Sequence, residues 1–139
     1  MSDGPWNREQ LQERLLRSPF NAFLNLEVQA SDLEKQELVV RLKMRPEFER
    51  TAGTGQWHGG PIAAAIDVTG DFALAMLIGN PLPTINFSVD YLRPASGNLT
   101  LTARVRRCGK TVGVVDVEVL NEAGVLLAVG RASYSTVTA

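Results

Sequence analysis

HGGPIAAAIDVTGD, residues 58–71, opens a nearly all-apolar segment with two glycines and carries only two charges, Asp67 and Asp71. The run continues through Phe72, Ala73, Leu74, Ala75, Met76, Leu77 and Ile78, apolar on almost every side, which predicts a helix enclosed by other structure. At a helix start the first amides lack intrahelical acceptors and the dipole places partial positive charge there. Gly59 and Gly60 let a ligand carbonyl approach the backbone, and Pro61 suits the first turn because it needs no N–H partner. The stretch therefore has the makings of an oxyanion hole.

An ionised Asp67 inside such a helix is costly without partners, and Asp71, one turn further on the same face, opposes its ionisation. Gly60 and Asp67 are seven residues apart, about 10 Å along a helix axis. One chain's Asp67 then cannot reach its own oxyanion hole. If both serve one reaction, the carboxylate comes from a second copy of the helix packed antiparallel across a two-fold axis, which predicts an obligate dimer.

Composition narrows the remaining classes. At 139 residues the chain predicts one domain, 1–139. A net charge of −1 gives no general case for nucleic acid or an anionic membrane, although RVRRCGK at 104–110 is a local basic cluster suited to a solvated strand end or a phosphate-bearing ligand. Cys108 is the only cysteine, which excludes an intrachain disulfide and makes the cytoplasm the expected compartment. The polar N-terminus lacks the apolar core of a signal peptide. No uninterrupted apolar run reaches the roughly 20 residues of a bilayer span, so a soluble protein is expected. His58 is the only histidine, which excludes multi-histidine metal sites, and no GxSxG, Walker A or GxGxxG motif is present.

Outward from the central segment, WNREQLQERLLR (6–17) predicts an amphipathic helix that SPFN stops, within an N-terminal helical segment 1–20. Leu24–Val28 and Glu37–Met44 alternate as strands around a loop at SDLEK, with Leu38, Val40, Leu42 and Met44 on one face. RPEFERTAGTGQW (45–57) is a loop leading into the helix at 59–78. GNPLP then breaks the chain, and strands follow at Thr84–Leu92, Leu99–Arg107, Thr111–Leu120 and Val125–Tyr134, with turns at PASGN, CGK and NEAG. This order implies an α+β domain whose antiparallel sheet curls around the central helix. Valines on both faces of the 111–120 strand suggest further association through the sheet, a dimer of dimers. Trp6, Trp57, Phe20 and Phe23 read as packing residues, with Trp57 placed to line a pocket.

WHGGPIAAAID, PTINFSVDYLRPA and GKTVGVVDVEVLNEAGVLLAVGRASY, taken together and in this order, resemble the hotdog-fold acyl-CoA thioesterases of the phenylacetate-pathway (PaaI-like) type. The resemblance covers about Leu24 to Tyr134 and implies a hotdog fold, an acyl-CoA substrate, and a homodimer at minimum, with a homotetramer expected. It implies that an amide at Gly59 or Gly60 polarises the thioester carbonyl, while Asp67 of the partner subunit acts as nucleophile or as general base. Thr84 occupies the place of a hydroxyl that assists in this family. Where relatives carry a polar residue six positions before HGG, this chain has Ala52, and Gln56 is the substitute expected to contact thioester or water. Asp71 falls where a second polar helix residue stands in some branches. His58 caps the helix or fixes the loop. Arg93, Arg106, Arg107 and Lys110 are candidates for holding the coenzyme A phosphates. No metal or bound cofactor is called for. Two other readings remain: a non-catalytic acyl-CoA binding module, and a hotdog hydratase or dehydratase, which would need a positioned histidine.

Overall fold

A computed structural model describes residues 4–137. The first three residues of the 1–20 segment and the last two of the 1–139 domain lie outside the described residues. Two short helices come first, α1 (Arg8–Leu15) and α2 (Pro19–Leu24), then strands β1 (Glu27–Asp32) and β2 (Glu37–Leu42). The long helix α3 (Gly59–Ile78) follows, and then β3 (Thr84–Tyr91), β4 (Leu99–Cys108), β5 (Val112–Leu120) and β6 (Leu126–Ser135). All six strands pair antiparallel in the order β1-β2-β4-β5-β6-β3, and the sheet wraps α3.

The N-terminal helix of the sequence reading is in fact two helices. Ser18–Pro19 does end the first, but a Ser N-cap followed by Pro at the first helical position also starts a second one, and Asn25 in the left-handed region (φ 56°) stops it. β1 accordingly begins at Glu27, and the 24–28 strand is displaced toward Asp32. In α1, Asn7 and Gln10 form a reciprocal capping box. α1 then covers the β1 edge. Gln12 donates to Leu26 O (3.0 Å) and accepts from Val28 N (2.7 Å), while Arg8 donates to Val28 O (2.9 Å). Among the described residues β3, the other edge strand, has no such cover, and Ile85 (57 %) within it and Leu92 (53 %) just after it are exposed.

By length and composition alone α3 could cross a membrane, although Asp67 and Asp71 interrupt its apolar run. What surrounds it here is the sheet and the short helices. Ile62, Ala65, Ile66, Phe72, Leu74 and Met76 are buried against the inward side chains of the strands, Leu38, Val40, Leu101, Val115, Val117 and Val119 among them. Gly79 (φ 88°) ends the helix in the left-handed conformation.

The inward residues of β5 are Gly113, Val115, Val117 and Val119; its outward row is Val112, Val114, Asp116, Glu118 and Leu120. The outer sheet face is therefore less apolar than the valine count suggests. Arg104 bridges Glu37 and Glu118 (2.8 and 2.7 Å), and Arg131 grips Asp116 through two nitrogens (2.6 and 2.8 Å).

Close helix–sheet contact depends on two inward glycines. A Cβ at Gly113 would lie 2.6 Å from Leu74 Cδ1, and one at Gly130 would lie 2.6 Å from Ile66 Cγ2 and 3.2 Å from Ser88 O. Gly130→Ala should destabilise the fold by about 1–3 kcal/mol, the usual cost of overpacking a filled core. Denaturant unfolding checks this, and an unchanged midpoint would mean that α3 can lift off the sheet at little cost.

Candidate active site

At the start of α3, His58 has extended backbone and acts as N-cap: its Nδ1 accepts from Gly60 N–H (2.9 Å). Gly60's amide is thereby occupied and Pro61 has none. Among the described residues, Gly59's amide has no acceptor. Tyr91, at the end of β3, donates to Gly59 O (2.5 Å), and its hydroxyl would stand 3.1 Å from any Cβ at position 59. Gly59 opens into a depression of about 390 Å³ that also takes in Gln56, Ile62, Arg50 and Arg93. The loop before the helix is organised by Glu49, whose carboxylate accepts from Gly53 N (3.2 Å) and Gly55 N (2.6 Å). Ala52, the departure from the family pattern, contributes no polar side chain to it.

Two turns along the helix, Asp67 is half-buried and is held from the sheet at both ends. Its Oδ1 accepts from Thr84 Oγ1 (2.7 Å), and its main-chain oxygen accepts from Tyr134 OH (2.6 Å). Thr84 and Tyr134 are direct partners across β3 and β6, so one cross-strand pair fixes both the carboxylate and the backbone of this residue. The tyrosine reaches the helix because position 70 is glycine; a Cβ there would lie 2.4 Å from its hydroxyl oxygen. Burial, then the charges of Asp67 and Asp71, push the Tyr134 hydroxyl well above its ordinary pKa, so it remains a donor.

Asp71 accepts from Leu82 N (2.8 Å) and shares a depression of about 380 Å³ with Asp67, Arg14, Arg17, Ser18 and Asn21. Burial raises its pKa to about 7, with a further push from Asp67 and an opposing pull from the Leu82 amide. Its folded pKa thus exceeds the unfolded value of 3.8, so the native state binds this proton more tightly. Stability from the group is complete below about pH 4 and is lost as pH rises through about 7. Asp71→Asn should therefore raise the melting temperature at pH 8 and leave it unchanged at pH 4, with about 4 kcal/mol as the upper bound. Melting curves at the two pH values check this; an equal shift at both would remove the titration from the explanation.

The fold brings Gln56 and Arg93 to Gly59, and Thr84 and Asp71 to Asp67. It does not bring Gly59 to Asp67; the two line different depressions of the chain. Arg106, Arg107 and Lys110 lie at the β4–β5 hairpin, where Arg106 pairs with Asp116 at 3.6 Å. Reading the sequence alone missed Arg50, Tyr91 and Tyr134. Tyr91 and Tyr134 both stood inside quoted motifs, but neither was singled out, because the contact of each with α3 is made across the fold. Trp57 is buried, donating Nε1–H to Gly97 O (2.7 Å), and Trp6 is buried as well. Phe20 and Phe23, expected to be packing residues, are 51 % and 47 % exposed, because the separate helix α2 turns them outward.

This geometry has close counterparts. Residues 54–128 match the model of the thioesterase superfamily. The medium/long-chain acyl-CoA thioesterase YigI of Escherichia coli is 31 % identical over 135 residues, covering 84 % of each chain. Among solved structures, a phenylacetic acid degradation-related protein of Ralstonia eutropha superposes with a TM-score of 0.77 at 27 % identity, covering 90 % of this chain and 98 % of that one. Zebrafish thioesterase superfamily member 2 gives 0.78 at 26 % identity, covering 91 % and 94 %. The family match over more than half of the chain, on an antiparallel sheet wrapped around one long helix, shows that this chain belongs to the thioesterase superfamily of hotdog-fold thioester hydrolases.

Proposed function

We propose that the protein hydrolyses acyl-CoA thioesters to free acid and CoA at a site shared between two copies of the chain. The observation that carries this reading is the division of the chemistry: the unoccupied Gly59 amide lies in one depression and the Thr84-held carboxylate of Asp67 in another. An antiparallel neighbour would bring Gly59 of one subunit to Asp67 of the partner subunit. The free β3 edge, with Ile85 and Leu92 exposed while α1 covers β1, supports pairing of β3 with a second copy. The mixed charge lattice of the outer sheet face is the surface for a dimer of dimers.

In the reaction, the substrate carbonyl sits against the Gly59 amide at the positive end of α3. Thr84 occupies Oδ1 of Asp67, so Oδ2 takes a proton from water as the oxygen adds to the carbonyl carbon. The tetrahedral oxyanion then collapses, the C–S bond breaks, and the thiolate leaves and takes up the proton. Direct attack by the Asp67 carboxylate would instead break the C–S bond, expel the CoA thiolate and leave a mixed anhydride, which water then cleaves to the same acid and the regenerated carboxylate. Gln56 contacts the thioester or the water. Arg93, joined by Arg50, holds phosphate oxygens beside Gly59, with Arg106, Arg107 and Lys110 available to a neighbouring copy. No metal or cofactor is required, and the cytoplasm, where acyl-CoA is made and used, is the place of action. His58 Nδ1 is committed to the helix cap, which argues against a dehydratase.

Release of free thiol from a panel of short, long and aromatic acyl-CoAs tests the reading. Turnover of at least one is expected; no release from any, with tight binding retained, would favour a binding module instead.

A further inference from the structure

The backbone on either side of the free Gly59 amide is tied down. Upstream, Trp57 N–H donates to Ala95 O (2.9 Å) and His58 N–H donates to Phe48 O (2.8 Å). Downstream, the peptide group between Gly59 and Gly60 is gripped at both ends: its N–H donates to His58 Nδ1 (2.9 Å), and its carbonyl accepts from the Tyr91 hydroxyl (2.5 Å). We infer that Tyr91 is a positioning residue for the Gly59 amide, fixing the direction of that donor without touching the reacting atoms. This rests on the reading of Gly59 as the oxyanion donor and adds the residue that holds it in place.

Two adjacent glycines have more backbone freedom than any other pair, and the first turn of a helix leaves its amides without intrahelical acceptors. An oxyanion donor, by contrast, works by being in place before the charge develops. The Tyr91 bond supplies the missing restraint. It is not a cap, because the unsatisfied groups at a helix start are amides, whereas Gly59 offers a carbonyl, which a helix bonds four residues on. Glycine at position 59 is also what admits the hydroxyl: a Cβ there would lie 3.1 Å from Tyr91 Oη and 3.2 Å from Cζ.

Tyr91 is itself well anchored. It is the last residue of β3, paired with Ala128 of β6, and the next two amides, of Leu92 and Arg93, both donate to Leu127 O (2.8 and 3.1 Å). Partial burial raises its pKa, so the hydroxyl keeps its proton and remains a donor. At the opposite end of the same strand, Thr84 holds Oδ1 of Asp67. One edge strand thus orients both halves of the divided chemistry, the carboxylate from its first residue and the amide from its last.

The test is kcat and KM, measured separately, in the wild-type protein and Tyr91→Phe for the two acyl-CoAs of the panel that the wild type turns over fastest, with a thermal melt and sedimentation alongside. Tyr91 is about half exposed and Phe keeps its ring, so the variant should fold. The expected result is a fall in kcat of about 5- to 30-fold, alike on both substrates and smaller than the roughly 10²- to 10³-fold cost of deleting an oxyanion donor outright. KM should stay within about twofold, with melting temperature and oligomeric state unchanged. A kcat within about twofold of wild type would overturn the positioning role. So would a loss confined to KM, which would make Tyr91 a binding contact, or a loss that comes with a lower melting temperature or a dissociated oligomer. In all three cases an inactive Gly59→Val in the same assay leaves the oxyanion reading standing, whereas a fully active one removes it too. A wild-type protein that hydrolyses no acyl-CoA removes both readings together.

Discussion

Asp67→Asn lowers the turnover of acyl-CoA by at least about 10²- to 10⁴-fold, the range a positioned general base supplies. The substitution is close to isosteric, and the side-chain oxygen of Asn can still accept from Thr84 Oγ1. The main-chain contact with Tyr134 does not involve the side chain at all. What disappears is the anionic oxygen that the proposed reaction needs, to take a proton from water or to attack the carbonyl. Loss of the negative charge also relieves Asp71, whose raised pKa owes part of its shift to Asp67, so the variant should melt no lower than wild type at neutral pH. Steady-state thiol release together with a thermal melt decides the matter. Near-normal turnover in a folded variant would move the chemistry away from Asp67, with Asp71 the next candidate.

Mixing two inactive variants restores activity to about one quarter of the wild-type level per chain, provided the site draws on two subunits. Asp67→Asn lacks the carboxylate. Gly59→Val blocks the approach to the free amide, since even a Cβ there stands 3.1 Å from the Tyr91 hydroxyl; that side chain is about half exposed and can give way without harm to the core. In a heterodimer, one site combines Gly59 of the first variant with Asp67 of the second and is intact, while the other site carries both lesions. Random exchange makes half the dimers hetero, with one working site in two. The measurement is thiol release after the variants are co-unfolded and refolded together, compared with each refolded alone. Recovery absent from a mixture that demonstrably exchanges subunits would place the whole site in one chain.

Much of this site is readable before any coordinates. The helix over 59–78 follows from an apolar run bracketed by HGGP and Gly79, because caps and periodicity act over three or four residues. The alternation of Leu38, Val40 and Leu42, and of Val115, Val117 and Val119, likewise reports which side of each strand is buried. Asp67 stands out because a carboxylate in an apolar helix demands a partner. The break at Ser18–Pro19 was legible too, but a stop signal and a start signal share the same residues. Only the position of α2 against Phe48 shows that a helix continues there, with Phe20 and Phe23 turned outward.

The sequence by itself determined the local elements, the glycine turn that opens α3 and the acidic helix face, since each depends on neighbours within about one turn or one strand. The tertiary structure alone decided the rest. It set which of the two glycine amides stays free, through the His58 cap, and it brought Thr84 and Tyr134, 17 and 67 residues from Asp67, onto the two ends of that residue. Those contacts follow from the register of β3 against β6 and from the room at Gly70. Register and close packing are settled by the whole buried face at once, which no short window of sequence contains.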